Sequence, residues 1–198
     1  MASRSQIAQH WPLDEVARLA GGGSGYRVAE LTCLGICNLQ ARKGRQAALE
    51  AAARDAGIPL PDGARSLKSG GITAVGTGPG AWLLLEDQAQ FALCPRLRER
   101  LGEWATVVEV SDAYAMLTIS GARVRDILAK GVTLDIADEI FRPGDAAVTK
   151  VAHVTVTMWR LDDDPEQGAT FILAAPRSYA SAFLHWLEES TAEFRSGA

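Results

Sequence analysis

Short apolar runs punctuated by glycine and proline cover the chain, and the same succession of runs occurs twice. In the first half, two paired strands are predicted at 28–34 and 36–41, broken at Gly35. Over 46–56, Leu49, Ala52, Ala53 and Ala56 share one helical stripe that Gly57 and Pro59 stop, and a stripe of alanines lets a helix lie close to its sheet. Residues 64–70 read as loop, and 72–77 with 81–86 as a hairpin across Gly78-Pro79-Gly80. Phe91, Cys94, Leu97 and Leu101 then mark the buried face of a helix stopped by Gly102.

The second half predicts strands at 106–110 and 115–120, then a helix over 122–130 that buries Val124, Ile127 and Leu128. A turn at 141–145 precedes a long strand at 148–160, a polar loop at 162–168 and a strand at 169–174. Ser178 is placed to cap a last helix carrying Tyr179, Phe183, Trp186 and Leu187 at helical spacing. Each half therefore reads strand, strand, helix, strand, strand, helix. The fold class is α+β, two tandem ββαββα-type repeats over 26–103 and 104–198, with mainly antiparallel sheets and helices on one face. Residues 1–25, with the tract Gly21-Gly22-Gly23-Ser24-Gly25, read as a flexible N-terminal arm.

The strand at 148–160 is the most informative element. Ala152, Val154, Val156 and Met158 alternate onto one face, the side expected to pack on helices. His153, Thr155, Thr157 and Trp159 share the other, which is small, uncharged and ends in an indole. A solvated strand face usually carries Lys and Glu. This one is built to be covered, either by the sister repeat's sheet or by another protein.

Composition narrows the function classes. The chain has 198 residues, 47% of them hydrophobic, enough for a full core. A net charge of −4 without a basic cluster argues against a nucleic-acid partner. The first residues lack the apolar segment of a signal peptide, and runs such as 81–85 fall far short of the roughly 20 residues of a membrane span. Three cysteines suit a reducing cytoplasm rather than a disulfide framework.

Candidate chemistry is sparse. Cys33 and Cys37 form a C-x₃-C without the further ligands a structural zinc needs, and read as two buried thiols. Gly76-Thr77-Gly78-Pro79-Gly80 leads into a strand rather than a helix, so it is a hairpin turn and not a phosphate loop. The three histidines, His10, His153 and His185, lie on different elements, with His185 on a solvated helix face. Asp162-Asp163-Asp164 reads as a solvated loop, and no pair of carboxylates stands out as acid and base.

The run Ser120-Gly121-Ala122-Arg123-Val124-Arg125-Asp126-Ile127-Leu128-Ala129-Lys130-Gly131-Val132-Thr133-Leu134-Asp135 resembles a stretch of the gamma subunits of heterotetrameric sarcosine oxidases. Phe141-Arg142-Pro143-Gly144, Ala152-His153-Val154 leading to Trp159-Arg160, and Pro176-Arg177-Ser178-Tyr179-Ala180 leading to His185-Trp186-Leu187 follow in the same order. Gly78-Pro79-Gly80-Ala81-Trp82 and Pro12-Leu13 also fit. Departures are the 62–75 loop, which lacks an Asn-centred pattern, and Val132, where the family has Cys.

That resemblance implies an aminomethyltransferase-like, folate-binding fold, in agreement with the repeat. It also implies a non-catalytic structural subunit within a flavin-dependent complex that demethylates sarcosine to glycine with hydrogen peroxide and formaldehyde or methylene-tetrahydrofolate. Partners would be the alpha, beta and delta subunits. FAD, FMN, NAD, tetrahydrofolate and zinc would sit in those partners, with no cofactor, metal or catalytic residue in this chain. The aminomethyltransferase catalytic aspartate falls at Thr155 or Val154, and neither is a carboxylate able to stabilise developing positive charge.

The expected partner-facing residues are Trp11, Trp104, His153, Thr155 and Trp159. The isolated chain is expected to be cytoplasmic and able to pair with itself. Three alternatives stay open: the gamma subunit of an N-methylglutamate dehydrogenase, a free-standing folate-binding protein with a polar, partly acidic pocket between the repeats, and a homodimeric module using the face around His153.

Overall fold

The computed structural model describes residues 25–195, apart from 33, 90, 164, 165 and 167. The elements of the first unit are β1 (Arg27–Leu31), β2 (Leu34–Ala41), α1 (Gln46–Asp55), β3 (Ser66–Ser69), β4 (Ile72–Gly78), β5 (Ala81–Asp87) and α2 (Leu93–Leu101). Those of the second are β6 (Ala105–Glu109), β7 (Tyr114–Ser120), α3 (Val124–Leu128), β8 (Ala146–Val151), β9 (Val154–Arg160), β10 (Thr170–Pro176) and α4 (Ala180–Thr191). The repeat is real, but each copy has one strand more than its pattern suggested.

Two five-stranded antiparallel sheets form, ordered β3-β4-β5-β2-β6 and β8-β9-β10-β7-β1. Read side by side, the orders match strand for strand. The last strand of each list is borrowed, because the two units exchange their first strands. Val28 on β1 pairs with Ile119 on β7, and Val107 on β6 pairs with Leu39 on β2. The expected pairing of 28–34 with 36–41 is therefore wrong. Its premise, a break at Gly35, also fails: Gly35 lies inside β2 opposite Glu86, where a Cβ would sit 2.3 Å from the Ala89 carbonyl oxygen. The glycine permits a close approach and does not end the strand.

The two missed strands are the edges β3 and β8. The segment Ser66-Leu67-Lys68-Ser69 is polar and mostly exposed, so it carries no alternating apolar signal. The expected single strand at 148–160 folds back on itself at Ala152-His153, whose φ angles are 51° and 96°. Two successive positive φ values make a tight turn matched to strand twist, usually written Asn-Gly. Ala-His hides that turn from a sequence reading.

Three apolar layers hold the molecule together. One lies between the first sheet and α1 and α2, through Leu39, Leu49, Leu84 and Leu97. Another lies between the second sheet and α3 and α4, through Leu117, Ile127, Phe171 and Phe183. The third joins the inner faces of the two sheets, through Ile36, Leu83, Leu85, Trp159 and Ile172. The architecture is helix, sheet, sheet, helix.

Smaller expectations are also adjusted. The Ser178 side chain makes no cap bond; Arg177–Tyr179 form a short 3-10 turn and Tyr179 stands at the N-cap. Phe91 is 55% exposed with φ 62°, so it precedes α2 and does not join its buried face. Cys37 on β2 and Cys94 on α2 are joined as a disulfide, with Cα atoms 5.8 Å apart. That corrects the expected pair of buried thiols at Cys33 and Cys37. The partner lies 57 residues away and becomes a neighbour only when α2 packs on its sheet.

Candidate functional site

The inner face of β9 runs from open solvent to the centre of the molecule. His153 and Thr155 are exposed at the hairpin tip, while Thr157 and Trp159 are buried. Leu34 and Leu85 of the opposite sheet share the layer that holds Trp159. The sister sheet thus covers this face only over the Trp159 end. Trp159, 1% exposed, is not a partner-facing residue. A sequence reading could not locate the edge of the covering sheet, because that edge, β3, carries no apolar pattern.

The other expected partner-facing residues are dispersed. Trp104 is half-buried against the first core, beside a shallow open groove formed with Arg100 and the alanines of α1. Trp11 and the rest of the arm up to residue 24 lie outside the described residues. His153 and Thr155 share the hairpin tip, so the structure brings together two of the five.

Between the sheets a cleft of about 290 Å³ reaches inward from the surface. Leu34, Leu85, Met116, Trp159 and Ile172 form its buried part, and Lys68 and Asp87 stand exposed at the mouth. Among the described residues, Asp87 is the sole acid in its wall. The positions where an aminomethyltransferase aspartate would fall are elsewhere. Val154 is buried in the core under the helices, and Thr155 is exposed opposite Lys150 on β8. Neither lines the cleft.

Beside the disulfide, Glu109 completes a group of three donor atoms within 4.8 Å of one another. With the sulfurs bonded together no thiolate pair is offered, and Glu109 accepts from the Ser111 hydroxyl and backbone amide. That hydroxyl in turn accepts from the Ile36 amide at 2.8 Å, which ties the connection between β6 and β7 to β2. Tyr114 on β7 has its phenol pKa raised by burial, partly countered by a hydrogen bond with Asn38.

Several of the stretches that carried the family resemblance serve packing. Arg160 is buried; its Nη1 donates to the Phe141 carbonyl at 2.8 Å, and its Nη2 reaches both oxygens of Asp163 at 2.9 Å and Asp138 at 2.8 Å. This fixes the 141–145 turn, which bridges to the first sheet through Ser66 N–H to Gly144 O and Ala146 N–H to Ala64 O. Arg177 donates to the carbonyls of Asp112 and Tyr114. Gly131 lies under Trp186, where a Cβ would be 2.6 Å from the indole ring.

The model of the sarcosine oxidase gamma subunit family matches residues 43–193. The chain belongs to that family. A sarcosine oxidase subunit gamma from Arthrobacter sp is 24% identical over 147 residues, covering 74% of this chain and 70% of that one. Among solved structures, the heterotetrameric sarcosine oxidase from Corynebacterium sp. U-96, in complex with pyrrole 2-carboxylate, contains a similar chain. It aligns with a TM-score of 0.77 and 25% identity over 93% of this chain and 95% of that one. The glycine cleavage system aminomethyltransferase T from Bartonella henselae shares the fold, with a TM-score of 0.63 and 16% identity. There the match covers 90% of this chain but 49% of the enzyme. Family and fold agree with the sequence resemblance. Among the described residues, no helix is long and apolar enough to cross a membrane.

Proposed function

We propose that this chain is the structural gamma subunit of a heterotetrameric, flavin-dependent sarcosine oxidase. In that assembly the alpha, beta and delta subunits hold the flavins, NAD, tetrahydrofolate and zinc, and sarcosine is oxidised outside this chain. The observation that carries the reading is the near end-to-end alignment with a chain of such a complex, at a TM-score of 0.77. The site geometry supports the non-catalytic part. Val154 and Thr155 hold no carboxylate, and the cleft between the sheets is mainly apolar, with a single acid among its described residues, at the mouth. A folate-dependent transfer needs an acid facing the developing charge, and this arrangement does not place one.

The exposed tip with His153 and Thr155 and the groove beside Trp104 are the surfaces assigned to partners. Co-expression of a tagged copy with the other three subunits should give one yellow particle that contains all four chains and turns over sarcosine. Elution of this chain alone, with a complete yellow enzyme assembled without it, would refute the proposal. A particle active on N-methylglutamate but not on sarcosine would keep the structural role and replace the substrate.

A further inference from the structure

We propose that the Cys37–Cys94 disulfide is a redox switch: its reduction releases a strained connection between β5 and α2 and loosens the first turn of that helix. Cys37 lies on β2, inside the first sheet, and Cys94 is the second residue of α2. Between β5 and α2, Gln88 and Phe91 hold φ at 58° and 62°. They are two of the four non-glycine residues at positive φ among the described ones. Such angles strain an L-residue and persist only where the surroundings over-determine them. Two constraints do so here. Ala89 is pressed against Gly35 of β2, and two residues further along that strand the disulfide pins Cys94. The Ala89 carbonyl then accepts from the Ala92 and Leu93 amides, at 2.9 and 3.2 Å, and starts the helix.

The sister unit shows that the fold does not require this arrangement. There β10 enters α4 through the 3-10 turn Arg177–Tyr179, without a positive φ, and the second half of the chain has no cysteine. Strain and disulfide occur together in one copy of the repeat and are both missing from the other.

While the connection is closed, the sulfurs are shielded. Cys37 and Cys94 are 0% and 1% exposed, and the Glu109 carboxylate, within 4.8 Å of both sulfurs, repels an attacking thiolate. Reduction therefore waits for the connection to open, and its strain favours opening. A dithiol then attacks one sulfur, the S–S bond breaks, and the second thiol of the reductant closes its own disulfide. Two electrons pass to the pair and each cysteine sulfur gains a proton. Hydrogen peroxide reverses the step: its O–O bond breaks, it takes the two electrons and two thiol protons, and it leaves as two waters. All the parts belong to this chain, so the inference and membership of the complex can fail separately.

The test uses the full-length chain, labelled with nitrogen-15 and treated with dithiothreitol without denaturant. The number of titratable thiols should rise by two while the chain stays folded, and peroxide should reverse the rise. Amide exchange at Ala92 and Leu93 should accelerate about tenfold, while the Phe183 and Leu184 amides of α4 keep their rates. Gln88→Gly with Phe91→Gly, which relieves the strain, should slow reduction about threefold.

A thiol count that rises only in urea would make the disulfide a permanent brace and refute the switch. Exchange that accelerates equally in α2 and α4 would refute local release, and a glycine variant reduced as fast as the parent would refute opening through the strained connection. If that double variant does not fold, the thiol count and the two helices of the parent chain decide.

Discussion

The two ends of β9 are built from the same strand and the same alternation, yet they have opposite fates. At one end Trp159 is sealed between the sheets and Arg160 is held by a carbonyl and two aspartates. At the other, His153 and Thr155 stand in solvent on a turn with two non-glycine residues at positive φ. Side-chain chemistry does not separate the ends, since all four positions from His153 to Trp159 on that face are uncharged. The difference is whether a second layer lies overhead. A strand face built to be covered can thus be satisfied within the chain over half its length and left for other molecules over the rest.

The largest effect expected from this contrast is at Trp159. Trp159→Ala should lose about 3–5 kcal/mol of stability in urea unfolding, the usual cost of emptying a large aromatic site, while Thr155→Ala should change stability by less than about 0.5 kcal/mol. Equal effects at both positions would mean that the sheets do not pack at Trp159. Arg160→Met should follow at about 1–3 kcal/mol. The loss is hydrogen bonding rather than stranded charge, because Asp138 and Asp163 are 60% and 53% exposed and regain water when the arginine is removed. Amide exchange in 141–145 should accelerate in the same variant, since that turn loses its anchor.

What the sequence disclosed follows from the physics of each signal. Helices with a clear stripe, such as Leu93–Leu101 and Ala180–Thr191, were legible, because burial of one face repeats along them. Strands buried on both sides, such as Leu34–Ala41 and Ala81–Asp87, were found from their apolar runs. The exchange of β1 and β6 was not legible: Val28 pairs equally well with Ile36 or Ile119 as far as composition goes, and partner choice depends on chain direction and layer packing. Edge strand β3 was lost for want of apolar residues, and the β8–β9 turn because Ala152-His153 stands where Asn-Gly is usual. Of the expected partner-facing residues, Trp159 misled because an indole suits an internal interface as well as an external one.

A smaller effect of opposite sign is expected at the exposed end. His153 holds φ at 96°, a region that favours glycine. His153→Gly removes that strain but adds freedom to the unfolded chain, so a net gain of about 0.5–1 kcal/mol is expected in thermal or urea unfolding. A turn kept only for its own stability would not hold histidine there. The same substitution should therefore weaken assembly with the partner subunits while the free chain becomes more stable, measured by the fraction retained on a tagged partner. A variant that is stabilised and assembles normally would assign the tip no contact role.

The smallest effect separates the covered layer from the tip by pH. Burial raises the Tyr114 phenol pKa above its ordinary value near 10, and the hydrogen bond with Asn38 offsets part of that rise. Its proton is held more firmly in the folded chain than in the unfolded one. Tyr114 therefore contributes stability fully below about pH 10, and this contribution is lost as pH rises through the folded-state value. Urea midpoints measured from pH 8 upward should decline more steeply in the parent chain than in Tyr114→Phe, with the two curves diverging only above about pH 10. His153 lies in solvent at the far end of the second sheet, so His153→Gly should leave that divergence intact. Curves that stay parallel through the alkaline range would show that the phenol is as well hydrated in the folded chain as in the unfolded one, and that the sheets do not close over β7 as they close over Trp159.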